Sequence, residues 1–128
     1  MRGEKADPRI TQFFQRMPGA EALFYALLKA CAEAGDARYA VQKSDVALGM
    51  PRHYAYAWLP PHPVKGRPDV YLVLTLRLTR RLDSARFAQI VEAYPGRYAH
   101  HLILSAPAQL DRELLGGLRE AMADSKGR

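Results

Sequence analysis

Hydrophobic and polar positions alternate with a period of two in the stretch from Asp69 to Thr79, DVYLVLTLRLT. One side of this stretch carries a valine and four leucines, and the other side includes Tyr71, Thr75 and Arg77. Such alternation is typical of a strand with one buried face and one partly wet face. Strands of this kind belong to antiparallel sheets. We therefore predict the central strand of an antiparallel sheet, with helices on its leucine side.

Apolar residues recur at three- and four-residue steps in three other segments, which predicts helices. A short helix should follow Asp7-Pro8, because this pair suits an N-cap and a first helical residue. A second helix should cover residues 20–34 and end at Gly35-Asp36. A third should cover residues 108–124 with Asp111 near its start, and Gly116-Gly117 should either kink it or let another backbone approach closely. Residues 1–9 are expected to be a flexible tail and residues 125–128 a frayed end.

Further extended segments flank the central strand. In residues 53–59, HYAYAWL, the pattern puts Tyr54, Tyr56 and Trp58 on one face. Two short extended pieces are indicated at 39–41 and 46–48. Residues 86–94 fit either a helix or a strand, but the following Pro95-Gly96 is the signature of a type II turn and favours a hairpin with residues 98–105. The predicted fold is one α+β domain over residues 1–128, an antiparallel sheet of four to five strands with N- and C-terminal helices packed on one face.

Composition and charge narrow the class of protein. Hydrophobic residues make up 48% of the chain and charged residues 25%, which is typical of a globular protein. No apolar run approaches the roughly 20 residues of a membrane span, and the N-terminus lacks the apolar core of a signal peptide. We expect a bacterial-type cytoplasmic protein that does not bind membranes, with the lone Cys31 as a small buried hydrophobe.

Basic residues are concentrated between residues 52 and 81, where six basic groups face one acidic group and account for most of the net charge of +6. A local basic patch can attract nucleic acid, phosphorylated ligands or an acidic protein surface. A solvated edge kept basic for solubility is the simpler interpretation, and we favour it. The candidate patch consists of Arg52, Lys65, Arg67, Arg80 and Arg81.

His100-His101 is the most conspicuous candidate for chemistry. Neighbouring side chains of a strand point to opposite faces, so both rings cannot reach one metal ion. One of the two can face the open side of the sheet near Arg77 or Tyr71 and bind an anion. We expect neither a metal nor a cofactor, since no P-loop, GxGxxG or GxSxG motif is present. The candidate ligand-binding residues are Arg77, Tyr71, Thr75, His100, His101 and Lys43, and no catalytic residue is assigned.

Four short motifs resemble an uncharacterised bacterial family of domains of unknown function, DUF5655. They are YAYAWLP (54–60), LVLTL (72–76), GRYAHHLIL (96–104) and LDRELLGGLREA (110–121). The resemblance spans roughly Glu21 to Asp124, and Lys43-Ser44 matches a lysine-plus-hydroxyl step before the family's first hairpin. Because such domains occur alone or at the end of larger proteins, the resemblance implies a binding or accessory module.

Three functions remain open from the sequence. The leading hypothesis is a non-enzymatic module that binds an anionic ligand or a protein partner, with a homodimer as one form of partner. The second is a small hydrolase or nuclease-like enzyme that uses a histidine as general base and Lys43 or Arg77 on phosphate. The third is nucleic-acid binding through the basic 52–81 hairpin, which we favour less.

Overall fold

A computed structural model describes residues 6–127, and in this part of the chain three α-helices pack with one sheet. The helices are α1 (Pro8–Phe13), α2 (Ala20–Ala34) and α3 (Arg112–Lys126), with a 3-10 turn at Pro107–Gln109 before α3. The strands are β1 (Tyr39–Val41), β2 (Val46–Leu48), β3 (Ala55–Trp58), β4 (Leu72–Leu78), β5 (Phe87–Tyr94) and β6 (Arg97–Leu104). The predicted α+β class is confirmed.

All neighbouring strands are antiparallel, in the order β1-β2-β3-β4-β6-β5. The stretch predicted to be central is indeed β4, which lies between β3 and β6. The sheet has six strands, more than the four to five expected. The difference comes from the two short pieces at 39–41 and 46–48, which form a complete hairpin closed by a hydrogen bond from Gln42 N to Asp45 O of 2.8 Å.

The leucine face of β4 forms the centre of the core. Leu72, Leu74 and Leu76 have no exposed surface, and Leu78 is 1% exposed. The helices α2 and α3 pack on β4, and α1 adds the fully buried Ile10 and Phe14 to the same cluster. The period-two pattern therefore predicted both the buried face and what covers it.

Helices α1 and α3 begin directly after the predicted caps, Asp7 and Asp111, so α3 starts at Arg112 and not at residue 108. Asp7 accepts a hydrogen bond from Arg9 N at 2.9 Å, and Asp111 accepts one from Leu114 N at 3.1 Å. Residues 8 and 9, which we assigned to the N-terminal tail, belong to α1. Ser125, which we assigned to a frayed end, is 5% exposed within α3. Residues 1–5 and 128 of those two predicted ends lie outside the described part of the chain.

The glycine pair in α3 allows a close approach and does not interrupt the helix. A methyl group added at Gly117 would lie 3.2 Å from Cδ1 of Leu76, whereas one added at Gly116 would meet no atom within 4 Å. The group that approaches is thus a leucine side chain of the sheet, and not the backbone of another element, as the sequence predicted. Gly117 lets α3 rest directly on β4.

Two predictions about the strands have different outcomes. The hairpin of β5 and β6 is confirmed, and Gly96 in its turn has a φ of 75°, as the third position of a type II turn requires. The prediction that Tyr54 shares a face with Tyr56 and Trp58 is wrong. Strand β3 begins only at Ala55, and Tyr54 lies in the core, where its hydroxyl donates to Asp36 O at 2.6 Å.

Candidate functional site

The sheet face opposite the leucines, called the open face below, carries Tyr56 and Trp58 from β3, Thr75 and Arg77 from β4, and His101 from β6. The strand register aligns Tyr56, Thr75 and His101 in one row across the three strands. Thr75 is 6% exposed, and the other four side chains are half-buried. Large side chains therefore surround a small hydroxyl at the centre of this face.

A line of hydrogen bonds joins three of these side chains. The Trp58 indole N–H donates to Thr75 Oγ1 at 2.9 Å, and Thr75 Oγ1 lies 2.7 Å from Nδ1 of His101. An indole N–H can only donate, so the threonine hydroxyl accepts from it, and the same hydroxyl can donate its own proton to Nδ1 of His101 when that nitrogen is unprotonated. In that tautomer a neutral His101 carries its proton on Nε2. The Trp58 and His101 rings also meet edge to face, with 5.9 Å between their centroids.

Burial favours the neutral form of this histidine. It lowers the pKa of His101 below its ordinary value of 6.5, because the charged imidazolium is less well solvated there than in water. The ring orientation is fixed by the contact of Thr75 with Nδ1, which leaves Nε2 as the second hydrogen-bonding nitrogen. In the tautomer that carries its proton on Nε2, His101 is an oriented hydrogen-bond donor on the open face.

Arg77 supplies a permanent positive charge beside this line. Its Nη1 donates to the Tyr56 hydroxyl at 3.2 Å and to the carbonyl of His53 at 3.4 Å. The guanidinium also lies 6.0 Å from the centroid of the Tyr56 ring. Because backbone and aromatic ring both hold it, Arg77 is pre-organised on the half-buried side of the strand.

A carboxylate borders the same face. Asp45 directly precedes β2, whose Ala47 pairs with Tyr56 of the open face. Its Oδ1 is buried with no hydrogen-bond partner among residues 6–127. Burial raises the pKa of Asp45, and the nearby His53 acts in the opposite direction. An unpartnered carboxylate oxygen therefore lies at the start of the strand next to Tyr56, and the cation of Arg77 lies on β4.

The structure brings only three of the six predicted ligand-binding residues together, namely Thr75, Arg77 and His101. His100 is fully buried on the leucine face, where its Nε2 accepts from Leu82 N at 2.9 Å. Its ring packs against Phe87 at 4.9 Å, and burial lowers its pKa. His100 therefore has a structural place in the core, and placing it in the ligand site is corrected.

Tyr71 and Lys43 lie away from the centre of the open face. Tyr71 is 4% exposed at the start of β4 and sits beneath the Arg67 guanidinium, 5.6 Å from its ring centroid. Lys43 is exposed in the turn between β1 and β2. It lines a cleft of about 870 Å³ together with Trp58 of the open face.

The five residues of the predicted basic patch do not form one surface. Lys65 and Arg67 belong to the loop that joins β3 to β4, whereas Arg52, Arg80 and Arg81 lie beyond the opposite ends of these two strands. The seven residues of β4 separate the two groups by about 20 Å. Acidic partners further neutralise two of the cations, in the ion pairs Arg80–Glu120 at 2.8 Å and Arg81–Asp83 at 2.7 Å.

Sequence reasoning assigned neither Trp58 nor Asp45 to the ligand site. In the sequence, Trp58 belongs to the aromatic row of residues 53–59, and Asp45 directly follows Lys43-Ser44. The available signal was parity, that is, whether a position along the strand is odd or even. Tyr56 and Trp58 alternate with the buried alanines of β3, so they had to share the face opposite the helices. The contact of Trp58 with Thr75 depends on the register of two strands, which neither strand encodes alone.

Residues 6–127 give no support for a metal site or for a membrane-spanning helix. Within that range, no group of three or more His, Cys, Asp or Glu side chains is arranged to hold a metal ion. None of the helices there has the length and apolar character needed to cross a membrane.

Comparison with known proteins gives one match. A family model described as Domain of unknown function (DUF5655) matches residues 11–125, which include all six strands and most of the helical residues. The match covers the open face and the core together. The searches of curated proteins and of solved structures found nothing that matches.

Proposed function

The chain belongs to the DUF5655 family, and we propose that it is a non-enzymatic binding module that takes an anionic ligand on its open face. One observation carries the proposal. The hydrogen-bonded line from Trp58 through Thr75 to His101 orients an imidazole on the same sheet face as the guanidinium of Arg77, opposite the helices. An oriented hydrogen-bonding ring and a permanent cation on one face suit an oxyanion.

The neighbouring groups define the rest of the ligand. Tyr56 within the central row and Trp58 two residues further along β3 supply aromatic surface, which suits a planar group. The unpartnered Oδ1 of Asp45 suits a ligand that also carries an N–H or O–H donor. The best-fitting ligand is therefore a small anion with a planar part and at least one hydrogen-bond donor.

Turnover at this site is disfavoured by the placement of Thr75. Its hydroxyl lies at 2.7 Å from the His101 ring, the spacing of a nucleophile and its base. However, the residue is 6% exposed and its oxygen already accepts the Trp58 N–H. A nucleophile must reach the substrate, so we assign this hydroxyl to orienting His101.

The test uses Trp58, which is the only tryptophan in the chain and lies in the site. Fluorescence titrations with nucleotides, sugar phosphates and aromatic acids should give a saturable change for at least one of them. Arg77→Gln should weaken that binding at least tenfold, since a charge-assisted hydrogen bond contributes about 1.5–3 kcal/mol and about 1.4 kcal/mol is tenfold. Arg119→Gln removes an exposed charge from α3 and is the matched control.

The proposal fails if no compound in the panel binds, or if Arg77→Gln binds as tightly as the unmodified protein. Thermal melts of each variant, with Arg77→Lys as a second substitution, separate lost binding from lost folding. The same samples address the two other functions. Turnover of any bound compound that disappears in His101→Ala would favour an enzyme, and oligonucleotide binding that weakens steeply with salt would favour nucleic-acid binding.

A further inference from the structure

A second pocket lies near the N-terminal end of β4, apart from the central row of the open face. It has a volume of about 280 Å³ and lies between the β3–β4 loop and the end of α1. Its walls include Arg16, Met17, Leu59, Val64, Arg67 and Tyr71. None of the five residues that define the open face lines it.

Arg67 is the unusual member of this pocket. Its Nη1 is buried and has no hydrogen-bond partner within residues 6–127. Its guanidinium is held over the Tyr71 ring at 5.6 Å, so it cannot swing into water without losing that contact. Buried arginine nitrogens are normally paired, because leaving a charged donor without an acceptor is costly. An acceptor that enters the pocket would satisfy this group.

The remaining walls limit which acceptor fits. Arg16 is fixed by donation to Pro60 O at 3.1 Å, which places a second cation at the pocket. Asp69 also lines the pocket, and it opposes ligands with more than one negative charge. Most of the other walls are apolar, from Met17, Leu59 and the Tyr71 ring. The pocket therefore combines limited positive charge with a hydrophobic interior.

The loop that carries Arg67 is already stiffened for binding. Four prolines fall between residues 60 and 68, and proline restricts the backbone before any ligand arrives. Tyr71 is anchored as well, since its backbone N–H donates to the Met17 sulfur at 3.2 Å. A pocket whose walls are held in place loses little freedom on binding.

We propose that this pocket binds small apolar carboxylic acids, with the carboxylate on Arg67 and Arg16 and the apolar body against Met17, Leu59 and Tyr71. A carboxylate matches the fork of a guanidinium and carries a single charge, as the presence of Asp69 requires. The volume lies at the small end of ligand pockets and suits a molecule of about ten heavy atoms.

The experiment titrates the full chain with benzoate and hexanoate, using benzamide and hexanamide as uncharged controls and inorganic phosphate as a charged one. Heteronuclear NMR should show saturable shifts at the amides of Val64 and Tyr71. Arg67→Gln should weaken benzoate binding at least tenfold, whereas Lys65→Gln should leave it unchanged. Lys65 is in the same loop and carries the same charge, but it does not line the pocket.

Three results would overturn the proposal: no saturable shift with either acid, equal binding of the acids and their amides, or tighter binding of phosphate than of benzoate. If Arg67→Gln does not fold, Arg16→Gln and the shift map of the unmodified protein decide the outcome. Arg77→Gln should retain benzoate binding at this pocket. The two sites can therefore fail independently.

Discussion

Thr75→Val should destabilise the protein more than Thr75→Ser, although valine matches threonine in shape. Valine removes the hydroxyl that accepts from Trp58 and contacts Nδ1 of His101, and it leaves both groups unpaired at a position 6% exposed. Each hydrogen bond contributes about 1 kcal/mol, so valine should cost about 2 kcal/mol. Serine keeps both bonds and loses one buried methyl group, which should cost about 1 kcal/mol.

These differences are measurable in the melting temperature and in urea unfolding. With an unfolding entropy of about 2.1 cal/mol/K per residue, a chain of 128 residues loses about 7 °C for 2 kcal/mol and about 4 °C for 1 kcal/mol. Trp58 emission follows unfolding and reports on the altered bond directly, since there is no other tryptophan. The reasoning is refuted if Thr75→Val is as stable as the unmodified protein, or if serine is the more damaging substitution.

Three further outcomes are expected from buried groups. Burial lowers the pKa of His100 and His101 below 6.5, so the unfolded chain binds more protons as the pH falls below that value. The free energy of unfolding measured in urea should therefore decrease from pH 7.5 towards 5, by at most about 1.4 kcal/mol per pH unit for each histidine, and a flat profile would contradict this. Gly116→Ala should stabilise α3 by about 1 kcal/mol, because the new methyl group meets no atom within 4 Å. In Gly117→Ala the methyl group would lie 3.2 Å from a leucine methyl, so this substitution should stabilise the helix less or destabilise it. Thermal melts of the two variants compare these effects. Cys31 is fully buried, and burial raises the pKa of its thiol to about 11. A thiol reagent should therefore label Cys31 only in denaturant. Rapid labelling of the folded protein would show that the core around Cys31 opens.

The fold was predictable where a repeating pattern extends over several residues. The leucines of β4 determine which face of that strand is buried. In β3, Ala55 and Ala57 are likewise the buried members of an alternating pattern. The rule failed at Tyr54, because alternation applies only within a strand and no local signal shows that β3 begins one residue later. The hairpin of β1 and β2 was hard to count for a related reason, since strands of three residues barely show a period.

The candidate site was predictable by face but not by position along the strand. Tyr71 has the same parity as Thr75 and Arg77, yet four residues of extended chain put it about 13 Å from Thr75. Its neighbours are consequently Arg67 and Met17, which belong to a different pocket. Parity tells which side of a sheet a residue occupies, and only the pairing of strands tells which residues meet there.

The adjacent histidines show how one sheet separates structural and binding roles. Burial lowers the pKa of both rings, and each uses one nitrogen in a hydrogen bond, His100 with Leu82 N and His101 with the Thr75 hydroxyl. The difference lies in the face. His100 points into the helix-covered core, where its hydrogen bond joins the segment after β4 to β6 and so stabilises the fold. His101 lies on the opposite face, which it shares with Arg77, and its side chain is half-buried. An oriented imidazole on the same face as a fixed guanidinium has no role in the helix-covered core, and this supports our proposal that the open face binds the ligand.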